Sequence, residues 1–285
     1  MADRALGLLA LSPGSVAVDA TLGGGGHAAL MLQAVSPGGV LVGIDRDESA
    51  IEEASARLSS MPGDSRIVKA RMSEIADVLE GLGLDGADGV IADLGVSSRH
   101  LDDGERGFSF MRDGPLDMRM DRECELTAAD LIRGSSAAEL ERVIREYGEE
   151  RFAGRIARSI AGRSDIDTTA KLADAVQRAM PFRRRGRIHP ATRTFQALRI
   201  AVNDEIGELE KFLEAAPLVL KPGGRLVVMS YHSLEDRLVK HRFRRLAASG
   251  RFELLSKRAL APEDDETDQN PRARSAKLRA IRRAG

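Results

Sequence analysis

Two hydrophobic patterns alternate along the first hundred residues of the chain. Short runs of β-branched and aliphatic residues indicate strands, and the segments between them carry apolar residues three or four positions apart, as amphipathic helices do. Strands that alternate with helices form right-handed crossovers, so this region predicts a parallel sheet with helices on both faces, whose ligands bind at the carboxyl ends of the strands. Three predicted strands lead into an aspartate: residues 16–18 into Asp19, residues 40–44 into Asp45 and residues 90–92 into Asp93.

The pattern changes after residue 98. A loop rich in Gly, Asp and Arg covers residues 99–122, and the segments after it are helical, including one that begins with a capping box of Ser136 and Glu139. After His189, a long amphipathic helix with apolar residues from Phe195 to Leu213 precedes the next strand pattern. We therefore predict an α/β domain in two parts, residues 1–106 and 189–285, interrupted by a helical insertion of residues 107–188.

The composition is that of an ordinary soluble protein. The 285 residues are 42% hydrophobic and 31% charged, and no apolar run approaches the roughly 18 residues that span a bilayer. The first residues make a poor signal peptide, so we expect a cytoplasmic protein without a membrane segment. A single cysteine, Cys124, excludes an internal disulfide framework and leaves too few thiolates for a zinc cluster, and no metal site is expected.

Charge is unevenly distributed, although the net charge is only -1. Residues 237–258 contain eight Lys or Arg and one acid, Glu253, and six bases follow an acidic stretch near the end of the chain. Any one of these runs is equally well explained as a solvated face, but together they favour a polyanionic partner. The densest run consists of Arg183, Arg184, Arg185 and Arg187.

The turn after the first predicted strand is rich in glycine. Gly23, Gly25 and Ala28 fit the pattern Gly-x-Gly-x-x-Gly/Ala, and Asp45 stands twenty positions after Gly25. Glycines let the backbone approach a cofactor, the following helix offers free N–H groups, and the distal acid can accept from ribose hydroxyls. For the glycines alone, a flexible turn without a ligand is the alternative.

Asp19 distinguishes between the two cofactors that suit this turn. A dinucleotide would place its pyrophosphate at the helix N-terminus, where the carboxylate of Asp19 would repel it. S-adenosylmethionine has no phosphate and carries an ammonium group that an acid would attract. No Gly-Lys-Ser/Thr follows the glycines, so a Walker-type phosphate loop is excluded. The turn therefore favours S-adenosylmethionine.

Two later strand ends carry candidate catalytic groups. Asp93 is followed by Ser97 and Ser98, and His232 follows the predicted strand of residues 225–229. An aspartate in such a turn is as often a helix cap, and a lone histidine is as often a core residue as a functional one. Their shared position at the ligand edge of the sheet makes Asp93, Ser97 and His232 candidates for catalysis.

Eight strings of residues recur in a family of known proteins in the same order. They cover residues 19–27, 45–47, 93–98, 106–110, 115–120, 189–200, 230–237 and 270–279. On these strings, which span nearly the whole chain, the sequence resembles the bacterial 16S ribosomal RNA cytosine-N4 methyltransferase family, the RsmH or MraW type. One departure is Tyr231, which stands where phenylalanine is common.

The resemblance implies a class I S-adenosylmethionine-dependent methyltransferase, with a Rossmann-like, seven-stranded, mostly parallel sheet and an inserted helical domain that recognises RNA. It implies methylation of the N4 amine of a cytidine in the decoding region, so 16S rRNA or the small ribosomal subunit is the expected partner, and neither DNA nor a membrane. Oligomeric state stays open, a homodimer included. Together with the turn itself, it implies that the cofactor contacts Asp19, Gly23, Gly25, Gly26, His27, Asp45, Met72, Asp93 and His100.

The chemistry of this reaction requires a hydrogen-bond acceptor. The cytosine amine is a poor nucleophile because its lone pair is delocalised into the ring, and Asp93, Ser97 or a backbone carbonyl can localise that pair. RNA contacts are expected from the helical insertion, the basic segments, and Phe108 and Phe110, unless these two rings only pin the insertion. Two other functions stay open: an NAD-dependent oxidoreductase, which Asp19 disfavours, and an RNA-binding assembly factor without turnover.

Overall fold

Strands and helices alternate up to residue 95, as the sequence predicts. The computed structural model describes residues 1–181, 189–263, 266–267 and 270–285. The strands are β1 (Val16–Asp19), β2 (Val40–Asp45), β3 (Asp64–Lys69), β4 (Ala87–Asp93), β5 (Leu220–Ser230), β6 (Phe252–Leu254) and β7 (Lys277–Arg283). The α-helices are α1 (Ala2–Leu9), α2 (Gly26–Val35), α3 (Glu48–Leu58), α4 (Ile75–Gly81), α5 (Ser98–Asp102), α6 (Ala128–Gly134), α7 (Ala137–Gly148), α8 (Ala153–Ile160), α9 (Thr169–Ala179), α10 (Thr192–Asn203), α11 (Glu205–Ala215) and α12 (Ser233–Ala248).

The chain forms two compact units. The sheet unit consists of Met1–Gly95 and Ile206–Gly285, and the helical unit consists of Val96–Glu205. The helical unit extends beyond both ends of the predicted insertion, residues 107–188. Buried Arg106 already belongs to it, because its guanidinium donates to the carbonyls of Arg119 and Met120 at 3.0 and 2.9 Å. At the other end, α10 buries Phe195 and Leu198 in the core of the helical unit.

The sheet unit is built on seven strands in the order β3-β2-β1-β4-β5-β7-β6. Strand β1 pairs in parallel with both β2 and β4, and only β7 runs antiparallel to its neighbours. The chain moves from β1 outward to β3 and then returns to start the other half at β4. Ligands of open α/β sheets bind where the strand order reverses in this way, which here is the carboxyl edge between β1 and β4. The predicted class I fold is confirmed.

Each face of the sheet is covered by three helices because the central strands are apolar on both sides. Val18 and Ala17, neighbours in β1, are fully buried in opposite faces. Helices α4, α11 and α12 cover the face of Val18, with Phe212 and Phe243 fully buried there. Helices α1, α2 and α3 cover the face of Ala17. The strand ends between these two layers are left to polar groups.

The single long helix predicted through Phe195 and Leu213 is two helices. Between α10 and α11, Asp204 adopts the left-handed conformation with φ 47°, and its N–H still bonds to the carbonyl of Ile200. The preceding Asn203 is buried, and its side chain accepts from the N–H of Met120 and donates to the carbonyl of Met118. The prediction failed because hydrophobic periodicity does not register a single left-handed residue.

The helical unit uses aromatic contacts for its own packing. Phe108 is 6% exposed, and its ring centroid lies 4.7 Å from that of His100. Phe110 stacks on His189 at 4.3 Å and meets Phe195 edge-on at 5.2 Å. Of the two interpretations left open for Phe108, the buried ring supports packing within this unit rather than stacking on an RNA base. The predicted capping box does form, since Ser136 accepts from the N–H of Glu139 and Glu139 accepts from that of Ser136.

Some of the charged segments lie outside the described residues. This applies to Arg183, Arg184, Arg185 and Arg187, and to Asp264, Asp265 and Asp268. Among the described helices, none combines the length and the apolar character that a membrane crossing requires.

Candidate active site

Three carboxylates meet at the carboxyl edge of the sheet, where the sequence predicts them. Asp19, Asp45 and Asp93 are the last residues of the adjacent strands β1, β2 and β4. Asp19 pairs in register with Gly43 of β2 and with Ile91 of β4, so it lies between the other two strand ends. Tyr231 and His232 follow β5 at the same edge.

The glycine-rich turn is fastened to the end of β2. Asp45 accepts the N–H of Gly23 on Oδ2 at 2.8 Å, and the N–H of Leu22 bonds to the carbonyl of Ile44. Gly23 and Gly25 both have positive φ, 48° and 74°, which glycine adopts without strain. The other carboxylate oxygen of Asp45 accepts from the N–H of Asp47 at 2.9 Å. Asp45 therefore shapes the turn and retains lone pairs for further donors.

The glycines of the turn serve different purposes. A Cβ on Gly25 would lie 3.1 Å from Cβ of Ala54, and one on Gly24 would lie 2.6 Å from Oε1 of Glu53. These two glycines let the turn pack closely against α3. A Cβ on Gly26, by contrast, would meet no atom within 4 Å. Open space therefore lies in front of Gly26 and not in front of Gly25.

Helix α2 starts at this turn without a side-chain cap. Its N-cap residue is Gly25, which has no side chain, so within the described residues the first N–H groups, from Gly26 onward, receive no side-chain cap. His27 lies in this first turn, with Nδ1 3.9 Å from Oδ2 of Asp93. Its Nε2 is buried without a hydrogen-bond partner among the described residues. The start of α2 can therefore bind an anionic group of modest charge.

Asp19 is buried with too few hydrogen-bond donors. The residue is 1% exposed, Oδ1 accepts the N–H of Thr21 at 3.2 Å, and Oδ2 is buried without a partner in the described part of the chain. Burial raises the pKa of Asp19 to about 6, against the opposing effects of His27 and the Thr21 N–H. A buried carboxylate with one unsatisfied oxygen is suited to a cationic ligand.

Asp93 is held by one hydrogen bond through its backbone and one through its side chain. Its N–H donates to Oγ1 of Thr21 at 2.6 Å, and its Oδ1 accepts the hydroxyl of Tyr231 at 2.8 Å. Burial raises the pKa of Asp93 to about 7, which the Tyr231 hydroxyl opposes and nearby Glu235 reinforces. Burial and the Asp93 charge raise the pKa of Tyr231. The Asp93 side chain keeps 28% of its surface exposed, so a substrate can reach it.

Glu235 organises the segment after β5. Its Oε2 accepts the N–H of Tyr231 at 2.8 Å and that of His232 at 3.2 Å. His232 is the N-cap of α12: its Nδ1 faces the Glu235 N–H at 3.4 Å, and its Nε2 lies 3.1 Å from Glu235 Oε1. Sequence reasoning missed Thr21, Tyr231 and Glu235. Only Glu235 has a local signal, because it stands three residues after its cap, as in a capping box.

Three predicted site residues lie outside this cluster of contacts. Met72 begins a 3-10 helix (Met72–Glu74) after β3 and is half-buried against the core. Ser97 and His100 belong to the helical unit, where Ser97 Oγ accepts the N–H of His100 at 3.3 Å and His100 Nδ1 accepts that of Ser97 at 3.2 Å. Their roles toward a ligand stay predictions.

The carboxylates and N–H groups at the sheet edge fit S-adenosylmethionine better than a dinucleotide. Asp93 and Asp45 both add to the raised pKa of Asp19, so the edge carries mutually repelling negative charge that would also repel a pyrophosphate. The amino-acid part of S-adenosylmethionine brings an ammonium and a single carboxylate. Asp19 suits the ammonium, and the uncapped start of α2 suits the carboxylate.

The raised pKa of Asp93 predicts a pH-dependent effect on stability. A carboxyl whose folded pKa, about 7, exceeds its ordinary value of 3.8 loses stabilising free energy as pH rises through that interval. Asp93→Asn removes this loss. We measure the free energy of unfolding in urea without cofactor. We expect that of the variant to equal that of the parent near pH 4 and to exceed it increasingly up to pH 8, by at most about 4 kcal/mol. The same gain in Asp77→Asn, at an exposed position of α4, or none in Asp93→Asn, would contradict this account.

Known proteins and a protein-family model match this chain over nearly its whole length. A family model described as the MraW methylase family matches residues 1–284. Curated relatives named Ribosomal RNA small subunit methyltransferase H include one from Trichlorobacter lovleyi, 48% identical over 100% of this chain and 97% of its own length. The relative from Geobacter sulfurreducens is 51% identical over 98% of this chain and 96% of its own length.

Solved structures add no argument to these sequence matches. A SAM-dependent O-methyltransferase from Thermotoga maritima aligns with 100% of this chain and 64% of its own, at 10% identity and a TM-score of 0.43. The sequence matches bear out the predicted methyltransferase fold, the enzymatic function and S-adenosylmethionine as cofactor. On the evidence of a match over residues 1–284 and relatives about half identical, the chain belongs to the MraW methylase family.

Proposed function

We propose that the protein transfers a methyl group from S-adenosylmethionine to the N4 amine of a cytidine in the decoding region of bacterial 16S ribosomal RNA. The shared name of the curated relatives supports a small-subunit ribosomal RNA substrate. One observation supports an amine as the group that receives the methyl. Asp93 is a partly exposed carboxylate, held at the ligand edge of the sheet by Tyr231, and can accept a hydrogen bond from such an amine. A substrate of this kind places the protein with the small ribosomal subunit in the cytoplasm.

The cofactor is held by groups at the ends of β1, β2 and β3. Asp19 binds the ammonium, the first N–H groups of α2 bind the carboxylate, and Asp45 accepts from the ribose hydroxyls. Met72 comes two residues after Ala70, whose N–H donates to the carbonyl of Asp45 at 3.0 Å, and contact of Met72 with the adenine stays a prediction. When bound, S-adenosylmethionine supplies a methyl group activated by its sulfonium.

Asp93 acts on the target amine. Its carboxylate accepts a hydrogen bond from N4, which localises the nitrogen lone pair, and takes the proton that the amine releases as the new N–C bond forms. Holding the amine in line can account for about 7–11 kcal/mol of the barrier. Ser97 and His232 are weaker candidates, because their side chains already make helix-capping contacts.

RNA contacts of the sheet unit are assigned to a basic groove lined by Lys240, Arg244, Ser256 and Lys257. Within the described residues, Lys240, Arg244 and Lys257 form no ion pair, whereas Arg279, which also lines the groove, is bound to Asp236. The hydroxyl of Ser256 is buried without a partner among those residues. Unpaired cations beside a free hydroxyl are suited to a phosphate group.

Asp19→Asn tests the cofactor site. We expect the affinity of the parent for S-adenosylmethionine to rise with pH through about 6, as Asp19 ionises, and the variant to bind about 10- to 100-fold more weakly above that pH. Calorimetry between pH 5 and 8 measures both, with Asp77→Asn as the control. Unchanged affinity in Asp19→Asn would refute the ammonium site.

Asp93→Asn tests the chemistry. At saturating cofactor, transfer of radiolabelled methyl groups to unmodified small ribosomal subunits, with mapping of the modified base, should fall by about 100- to 10,000-fold. Activity near that of the parent would exclude Asp93 as the group that accepts the hydrogen bond and the proton of the target amine. If the folded parent binds the cofactor but labels no nucleotide, the assembly-factor function is favoured instead.

The double variant Lys240→Gln with Arg244→Gln tests the basic groove. Loss of two phosphate contacts should weaken binding to a 16S rRNA transcript and reduce the slope of log affinity against log salt by about 1.4–1.8. The control is Arg66→Gln with Lys69→Gln on β3, at the opposite edge of the sheet, where Asp64 and Glu48 already pair with the two cations. Equal loss in both double variants would indicate net charge alone and overturn the assignment.

A further inference from the structure

The hydroxyl of Tyr231 is hydrogen-bonded to the carboxylate of Asp93, the proposed catalytic group. It donates to Oδ1 of Asp93 at 2.8 Å, across 138 positions of sequence. The other oxygen, Oδ2, has His27 Nδ1 as a neighbour at 3.9 Å, which is beyond hydrogen-bond distance. We infer that Tyr231 is a positioning residue for the proposed reaction: it occupies Oδ1 of Asp93 and thereby leaves Oδ2 for the target amine. The inference rests on the proposed role of Asp93.

The backbone holds Tyr231 in place for this contact. Strands β4 and β5 pair in register, with Asp93 opposite Met229, and the N–H of Leu94 bonds to the carbonyl of Met229 at 3.0 Å. Tyr231 follows two residues later, and its N–H is held by Oε2 of Glu235 at 2.8 Å. The tyrosine is therefore restrained by its own strand and by the start of α12, so its hydroxyl can orient the carboxylate.

The contact also favours the charged form of Asp93. The hydroxyl donates to the ionised carboxylate and opposes the effect of burial, so its loss raises the pKa of Asp93 further. Besides Tyr231, the titratable groups around Asp93 in the described part of the chain come from three other elements and the N-terminus, and Tyr231→Phe changes none of these groups. They are Asp19 of β1, His27 of α2, Glu235 of α12 and the N-terminal ammonium of Met1 before α1.

Tyr231→Phe tests the inference because it removes one oxygen and keeps the ring. Since Asp93 must be ionised to accept the amine proton, the acid limb of the pH profile of kcat/KM should move up by about one pH unit, the lower end of the effect of a hydrogen bond to a charged group. The loss should reach about tenfold below the limb and be small well above it, with unchanged affinity for S-adenosylmethionine.

Tyr147→Phe is the matched control. Tyr147 is the only other tyrosine of the chain, and it packs half-buried against the core of the helical unit. The control should leave the acid limb where the parent has it. An unmoved limb in Tyr231→Phe, or an equal shift in both variants, would overturn the positioning role.

A second measurement separates this inference from the proposed function. Carboxyl ¹³C NMR of aspartate-labelled protein, with Asp93→Asn to assign the signal, follows the titration of Asp93 without any RNA. The pKa of Asp93 should be higher in Tyr231→Phe than in the parent, and an equal pKa would contradict the inference even if no methyl transfer were found. If the pKa of Asp93 is higher in Tyr231→Phe but the parent methylates no RNA, the proposed function alone is contradicted.

Discussion

The parallel pairing of β1 with β4 is the constraint on which the rest of the site depends. It places Asp19 and Asp93 at one buried edge, where each carboxylate has a single firm donor, a backbone N–H for one and the Tyr231 hydroxyl for the other. Burial raises the pKa of both groups, so the folded protein holds them ionised at a cost in stability. In the proposed site, the ammonium of the cofactor and the target amine supply the missing donors, which accounts for this cost.

Several polar groups of this edge have two functions. Thr21 uses its N–H to hold Asp19 and its hydroxyl to accept the N–H of Asp93, so one residue of the turn ties the two carboxylates together. Asp45 fastens the glycine turn and still has lone pairs for a ribose. In the proposed cofactor site, the shape of the turn and the binding of the cofactor depend on the same atoms.

The helical unit is organised by different interactions. Its aromatic rings pack on one another, Arg106 binds backbone carbonyls, and helices α6 and α7 begin with reciprocal caps. These contacts occupy several groups that resemble RNA-binding residues in the sequence. Cations without partners in the described residues are a better guide to RNA contacts, because phosphate binding needs charge that is not already neutralised.

The sequence by itself determined the features that depend on near neighbours. Hydrophobic period, the strand-terminal aspartates, the glycine turn and the capping box of Ser136 were all predicted from residues a few positions apart, and the family followed from strings of adjacent residues. Only the tertiary structure decided the contacts between distant segments. The break at Asp204, the packing of Gly25 on Ala54 and the bond from Tyr231 to Asp93 depend on strand register and helix packing, which bring together residues that no local pattern relates.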